Sequence, residues 1–188
     1  MSGRGPIGSL MQAMHRPVYA ARLRALVGAI LPHLNQNDRV LDVGCGNGTL
    51  GRALMDHPGC PKGVLVEGLE RYKRGGEPIT VHPYDGVKMP LADGSYEIVI
   101  VADVLHHEED EPRLLRECAR VSRRLVVIKD HVVQGPLAQQ RISLIDWAAN
   151  APYGVKCLYR YHTPAEWAGV REALGMGLGE ERLSMDLY

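Results

Sequence analysis

The chain has 188 residues, 45% hydrophobic and 23% charged, the balance of a soluble single domain large enough to bury a core. Acidic and basic residues number 22 each, for zero net charge, which argues against a nucleic-acid partner gripped mainly through its phosphates. Cys45, Cys60, Cys118 and Cys157 are scattered without zinc spacing and read as free thiols of a reducing, cytoplasmic compartment, while no run approaches the ~20 apolar residues of a membrane span and no apolar signal core is present.

In chain order, residues 1–17 read as flexible, with glycine and serine over 1–9. Leu23, Leu26, Val27, Ile30, Leu31 and Leu34 recur at helical spacing and predict an amphipathic helix. A polar turn then leads into a first strand over Arg39–Val43. Gly44, Gly46 and Gly48 follow, and a helix begins at once with Thr49 and Leu50. Gly63–Glu67 reads as a second strand ending in an acid, and Pro78–His82 as a weaker third. Tyr96–Ala102 is continuously apolar, the mark of a strand buried on both faces. Acids at 108–111 with Pro112 open a helix, where acids suit the dipole and proline the first turn, and Leu114, Leu115, Cys118 and Val121 face the core. Arg124–Ile128 is a fifth strand. Strand alternating with helix at this rhythm predicts a Rossmann-like, doubly wound α/β fold, with a mostly parallel sheet and helices on both faces.

Beyond Ile128 the rhythm breaks. Gly135–Asn150 predicts a helix around Leu137, Leu144, Ile145 and Trp147. Ala151–His162 is irregular and rich in tyrosine. Thr163-Pro164-Ala165-Glu166 is a capping box with proline at the first helical position, so a helix starts there and ends near Gly175. Arg182–Tyr188 reads as a sixth strand. The whole chain, 1–188, is taken as one domain in which 131–162 is an insert on the substrate side.

In open α/β sheets a ligand lies at the carboxyl ends of the strands. The residues there carry the chemistry. The glycines permit a tight turn and a close backbone approach. Asp42, just before them, adds a carboxylate that a pyrophosphate loop has no use for and that a cationic, amine-bearing cofactor needs. Gly46, Gly48 and Gly51 also fit the dinucleotide pattern G-x-G-x-x-G, and Tyr84 and Lys88 have the spacing of a dehydrogenase pair. Pro83 and Gly86 oppose a helix there, which leaves an NAD(P)-binding oxidoreductase as a remote alternative. Glu67 is placed to accept from ribose hydroxyls. Asp85, in an Asp-Gly turn, can accept from an adenine amine or simply make the turn. His106 and His107 are adjacent, which points their side chains apart, and no third ligand is evident, so no metal site is expected. Asp130 and His131 follow the fifth strand and can relay a proton, or merely join strand to helix. Asp146, Trp147, Asn150, Tyr153, Tyr159 and Tyr161 either line a pocket or cover the sheet edge.

These motifs together resemble the class I S-adenosylmethionine (SAM) methyltransferases, in the type 11, ubiquinone-biosynthesis-like branch. The likeness is carried by Val40–Gly48, by Pro90–His107 with its Asp-Val-Leu-His-His ending, and by Leu114–Ile128, and a subgroup shares Lys129–His131 and Asp146–Asn150. The resemblance implies methyl transfer from SAM to an oxygen, nitrogen or carbon nucleophile. Asp42, Gly44, Cys45 and Gly46 would hold the methionine end, Glu67 the ribose and Asp85 the adenine amine. Ala102 and Asp103 would border the sulfonium. His131, held by Asp130, would be the base, with His106 and His107 behind it. A different reading is a non-catalytic or partner-dependent SAM-binding subunit. Neutral charge and the mixed apolar and polar insert suit a small-molecule acceptor. The family sheet ends in a seventh, antiparallel strand. This sequence stops at about the sixth, so an incomplete edge beside the fifth strand is expected, left by truncation or covered by another element or a homo-oligomer.

Overall fold

The structure, a computed structural model, describes residues 19–72, 75–150 and 157–182. Helix α1 spans 19–30 and runs into a 3₁₀ turn at Leu31–His33. The elements that follow are β1 (Arg39–Val43), α2 (Thr49–Asp56), β2 (Leu65–Glu70), β3 (Val81–Pro83) and β4 (Tyr96–Ala102). After these come a 3₁₀ turn (Leu105–His107), α3 (Glu111–Val121), β5 (Ser122–Lys129), α4 (Ala138–Asn150) and α5 (Pro164–Ala173).

The strands form one five-stranded sheet, in the order β3-β2-β1-β4-β5, and every pairing is parallel. That is the doubly wound, Rossmann-like arrangement read from the sequence. Period-two alternation sorts the strand residues between two cores. On one face Val40, Val66, Ile98 and Ile100 meet Leu26, Val27 and Ile30 of α1 and Leu54 of α2. On the other, Leu41, Val43, Val99 and Val101 meet Leu114, Leu115, Cys118 and Val121 of α3, with Trp167 and Val170 of α5 packed beside them. A register shift between Tyr96 and Ile98 puts Tyr96 on the α3 side despite its even number.

Local signals locate the helix ends. Asp110 caps α3 by accepting from the Arg113 amide at 3.1 Å, with proline in the first turn. Thr163 and Glu166 form the expected capping box on α5.

Three strand boundaries and the orientation of one helix need correction. β2 does not end at Glu67 but runs to Glu70, because Gly68 and Leu69 keep pairing with Asp42 and Val43 of β1. β3 is shorter than Pro78–His82 and starts only at Val81. β5 is longer than Arg124–Ile128, running from Ser122 to Lys129. Helix α4 turns its apolar side outward: Leu144, Ile145 and Trp147 are exposed, while Ala138 and Asp146 are buried. The inward positions repeat every fourth residue, 138, 142 and 146, which is the helical stripe. The sixth strand over Arg182–Tyr188, the flexible 1–17 and Tyr153 lie outside the described residues, as does the Asn150 side chain. Among the described residues β5 is the outer strand, and its side chains are at best half-buried.

Candidate functional site

β1 delivers Asp42 to the glycine turn. Gly44, Gly46 and Gly48 have φ of +68°, +59° and +75°, a left-handed backbone that other residues adopt only under strain. At Gly44 there is also no room, since a Cβ would meet Val104 Cγ2 at 2.5 Å. The amides of this turn are already bonded. The Gly44 N–H donates to the Leu69 carbonyl at 2.8 Å and the Gly48 N–H to the Cys45 carbonyl at 2.9 Å. The Gly46 N–H donates to Glu70 Oε2, also at 2.9 Å. A phosphate-binding turn instead aims its amides at the anion. Here they are used internally, and acids border the turn.

Asp42 is buried, and that burial pushes its carboxyl up to about 7, with Arg22 pulling down and Glu70 pushing further up. Cys45 stays a thiol: burial, then Asp42 and Glu70, push it up to about 12. Ala102 ends β4 beside Lys129 of β5. Asp103 takes a left-handed φ of +56°, and its carboxylate accepts from Arg22 Nε at 2.6 Å and from Lys129 Nζ. Burial would raise Asp103, but Lys129 and Arg22 outweigh it and hold the carboxyl below its ordinary value. The floor of the crevice is thus a set of carboxylates, balanced in part by one arginine from α1 and one lysine from β5.

Glu67 is not at this crevice. Its carboxylate accepts from Arg39 at 3.0 Å and from the Tyr96 hydroxyl at 3.1 Å, and lies 3.0 Å from His82 Nε2. Arg39 and Tyr96 begin β1 and β4, so Glu67 ties together the end of the sheet away from the glycines. Glu70 is the acid at the C-terminal end of β2. The signal for it was Leu69, an apolar residue that carries the strand past Gly68. Gly68 is needed there because Cys45 Sγ packs where a Cβ would stand. Asp85 is exposed, and its Oδ1 accepts from the Val87 amide at 2.7 Å, the turn-making role. Tyr84 and Lys88 lie in that bend, not on a helix.

The histidines gather at the ends of β4 and β5. Asp130 does not hold the His131 side chain as expected; it meets His131 only through that residue's backbone N–H, at 2.7 Å. Its partner is His106, whose Nδ1 lies 2.6 Å from Asp130 Oδ1, while Oδ2 accepts from the Leu105 amide at 3.0 Å. Asp130 therefore caps the 3₁₀ turn and orients the ring that the turn carries. On the other side of that ring, Asp146 of α4 brings Oδ1 to 3.6 Å from His106 Nε2 and 3.9 Å from His107 Nε2. The Tyr161 hydroxyl donates to Asp146 Oδ2 at 2.7 Å. The side chains of His106, Asp130 and Asp146 are 3%, 3% and 1% exposed. Burial pulls the His106 imidazole down, but the Asp130 bond and charge, then Asp146, carry it above its ordinary value. His131 stands edge-on to His106 at 5.0 Å between ring centroids, and burial, then Lys129, pull it below its ordinary value. Asp146 and Tyr161 were legible only as residues of a pocket or an edge. Their pairing comes from chain closure, since Val132 bridges His162 and the Val133 N–H donates to the His162 carbonyl at 2.9 Å, tying off the insert at its base.

Comparison with known proteins fits this arrangement. Residues 41–126 match the family model described as a methyltransferase domain. The 27-O-demethylrifamycin SV methyltransferase of Amycolatopsis mediterranei is 32% identical over 115 residues, covering 54% of this chain and 40% of that protein. The chain therefore spans well under half the length of the curated relative it matches. Two solved structures share the fold. One is a SAM-dependent methyltransferase from Thermotoga maritima, with TM-score 0.61, 18% identity, and coverage of 86% of this chain and 72% of that one. The other is the Haloferax volcanii complex between the Trm112 methyltransferase activator and its methyltransferase, with TM-score 0.64, 18% identity, and coverage of 95% and 80%.

The methyltransferase-domain match begins inside β1 and ends inside β5. It takes in the glycine turn, Glu70, Asp85, Asp103, His106 and His107. Asp130, His131, Asp146 and Tyr161 lie beyond it, so the chemistry beside His106 belongs to the part of the chain that the family model does not describe. No described helix is long and apolar enough to cross a membrane.

Proposed function

We propose that the chain binds SAM at the glycine turn and transfers its methyl group to a small molecule held beneath the 131–162 insert. The observation that carries this reading is the combination of internally bonded turn amides with the buried Asp42 and the adjoining Glu70. Such a turn repels a pyrophosphate and attracts an ammonium and a sulfonium. It also disfavours the dinucleotide alternative.

In this reading Asp42, Gly44, Cys45 and Gly46 hold the methionine end. Glu70, in place of Glu67, accepts from the ribose hydroxyls. Asp85 keeps the adenine amine, and Ala102 and Asp103 border the sulfonium. SAM supplies a methyl carbon on a good leaving group. The acceptor's lone pair forms a bond to that carbon as the carbon–sulfur bond breaks, and the bonding pair stays on sulfur, giving S-adenosylhomocysteine. The chain contributes alignment and removal of the acceptor's proton. His131, at the exit of β5, is assigned that proton by its position. His106, locked by Asp130, orients the wall beside it.

The acceptor class draws support from the Amycolatopsis relative, whose name denotes a small-molecule substrate, and from the half-buried Tyr161 and His162 mixed with apolar residues of the insert. The chain is read as one domain with 131–162 as its acceptor-side insert, a reading supported by the Val132–His162 bridge. Four free thiols support a reducing, cytoplasmic setting. The half-buried outer strand β5 supports a covering element or second copy at that edge.

Titration calorimetry with SAM, S-adenosylhomocysteine and NAD tests the reading. SAM is expected to bind, and Asp42→Ala to lose most of that affinity, because the ligand's ammonium loses its buried partner. Binding of NAD without SAM overturns it. Turnover of methyl-labelled SAM with metabolite extracts, set against RNA and protein acceptors, tests the acceptor class.

A further inference from the structure

We infer that His106, His107 and Asp146 form a binding site for a divalent transition-metal ion. The nitrogen and oxygen atoms that these residues offer lie within 4.8 Å of one another. Both Nε2 atoms converge on the same carboxylate oxygen, Asp146 Oδ1, at 3.6 Å and 3.9 Å. Those separations are too long for hydrogen bonds. They are close to the spacing of two ligands on one ion, roughly 3.4 Å for bonds of ~2.0–2.1 Å at a tetrahedral angle.

The residues around the three ligands are those that a metal site requires. A ligating imidazole commonly donates its other N–H to a carboxylate, and a ligating carboxylate is itself hydrogen-bonded. His106 Nδ1 meets Asp130 Oδ1 at 2.6 Å, which assigns the ring proton to that side and turns the Nε2 lone pair toward Asp146. Tyr161 donates to Asp146 Oδ2 at 2.7 Å, which turns the other oxygen toward the imidazoles. Asp130 is itself fixed by the Leu105 and His106 backbone amides of the 3₁₀ turn and by the His131 amide.

Adjacent histidines converge here because residues 105–107 are a 3₁₀ turn and not a strand. The two rings stack tilted, with centroids 4.1 Å apart, instead of pointing to opposite faces. The third ligand, not evident in the sequence, comes from α4. Two imidazoles and one carboxylate suit zinc, iron or nickel over magnesium or calcium, which want oxygen ligands. Three protein ligands also leave a coordination position for an oxygen donor. That such a donor is the methyl acceptor rests on the proposed function; metal binding itself does not.

The test is titration of the full chain with Co2+ followed by visible absorption, and with Zn2+ by calorimetry, with SAM affinity measured on the same samples. One equivalent is expected to bind with a visible cobalt band. His107→Ala and Asp146→Asn should each weaken it at least tenfold, and Asp130→Asn by about 10–100-fold. His57→Gln, a surface histidine far from the cluster, should leave it unchanged. Circular dichroism confirms folding. If Asp146→Asn fails to fold, His107→Ala decides, since that ring lies on a partly exposed turn. Folded protein with no cobalt band, or a band that survives His107→Ala or disappears in His57→Gln, overturns the site. Metal binding without SAM binding overturns the methyl-transfer reading and leaves the metal site standing.

Discussion

The Gly46 amide donates to Glu70 Oε2 at 2.9 Å, so the end of β2 is fastened to the glycine turn at the end of β1. Glu67, on the same strand, faces the opposite end of the sheet and binds Arg39, His82 and Tyr96. One acid thus borders the glycine turn and the other ties the far end of the sheet. Glu70→Gln is expected to weaken SAM binding at least tenfold with a small change in Tm. Glu67→Gln is expected to lower Tm and leave SAM affinity within about twofold, because each charged hydrogen bond it loses is worth roughly 1.5–3 kcal/mol when buried and less in its half-exposed partners. Calorimetry and thermal melts on the two variants check this; equal losses of affinity reject it.

Asp42 gives the ligand-free protein a pH dependence of definite sign. Its carboxyl sits at about 7 when folded, because burial outweighs the Arg22 charge and Glu70 adds to it, against 3.8 ordinarily. Below about pH 4 both states hold the proton and the contribution is complete. As pH rises toward 7 the unfolded chain releases the proton first, and stability is lost, on the order of 4 kcal/mol by linkage. Asp42→Asn does not titrate. The Tm of wild type minus that of Asp42→Asn should therefore fall between pH 4 and pH 7 and then level off. A flat difference refutes the assignment. A cationic ligand favours the ionised carboxylate, so SAM binding near pH 6.5 should release a proton, read from calorimetry in buffers of different ionisation enthalpy.

Gly68→Ala should destabilise the chain by roughly 1–3 kcal/mol, since the new Cβ overlaps Cys45 Sγ. Cys45→Ala removes the obstructing sulfur. The double variant should recover part of the loss, which makes the two changes non-additive. Urea denaturation of the two single variants and the double variant measures the coupling, and strict additivity would falsify the contact.

His131→Ala is expected to lower kcat at least tenfold with SAM affinity unchanged, once an acceptor is known. His131 stands beside His106 but is not bonded by Asp130 through its ring, so its removal should not disturb the 3₁₀ turn. Unaltered kcat removes it as the base.

Strand–turn–helix at Arg39–Asp56 was readable because each part is local: an apolar run, three glycines that must take positive φ, and helix formers directly after. The capping box at Thr163 and the proline-led start of α3 were readable for the same reason, and so was the parallel order, which follows from alternation of strands and helices. Which acid of β2 reaches the glycine turn was not local. Glu67 and Glu70 differ in role only because pairing with Asp42 and Val43 carries the strand past Gly68. Nor could the sequence join His106 to Asp130 and Asp146, one at the end of β5 and one within α4, or turn two adjacent histidines toward one carboxylate. Those contacts exist only once the sheet has aligned the ends of β4 and β5 and the insert has closed through Val132 and His162. Short-range sterics and hydrophobic period are written in neighbouring residues; the meeting of distant polar groups is decided by the packing that removes them from water.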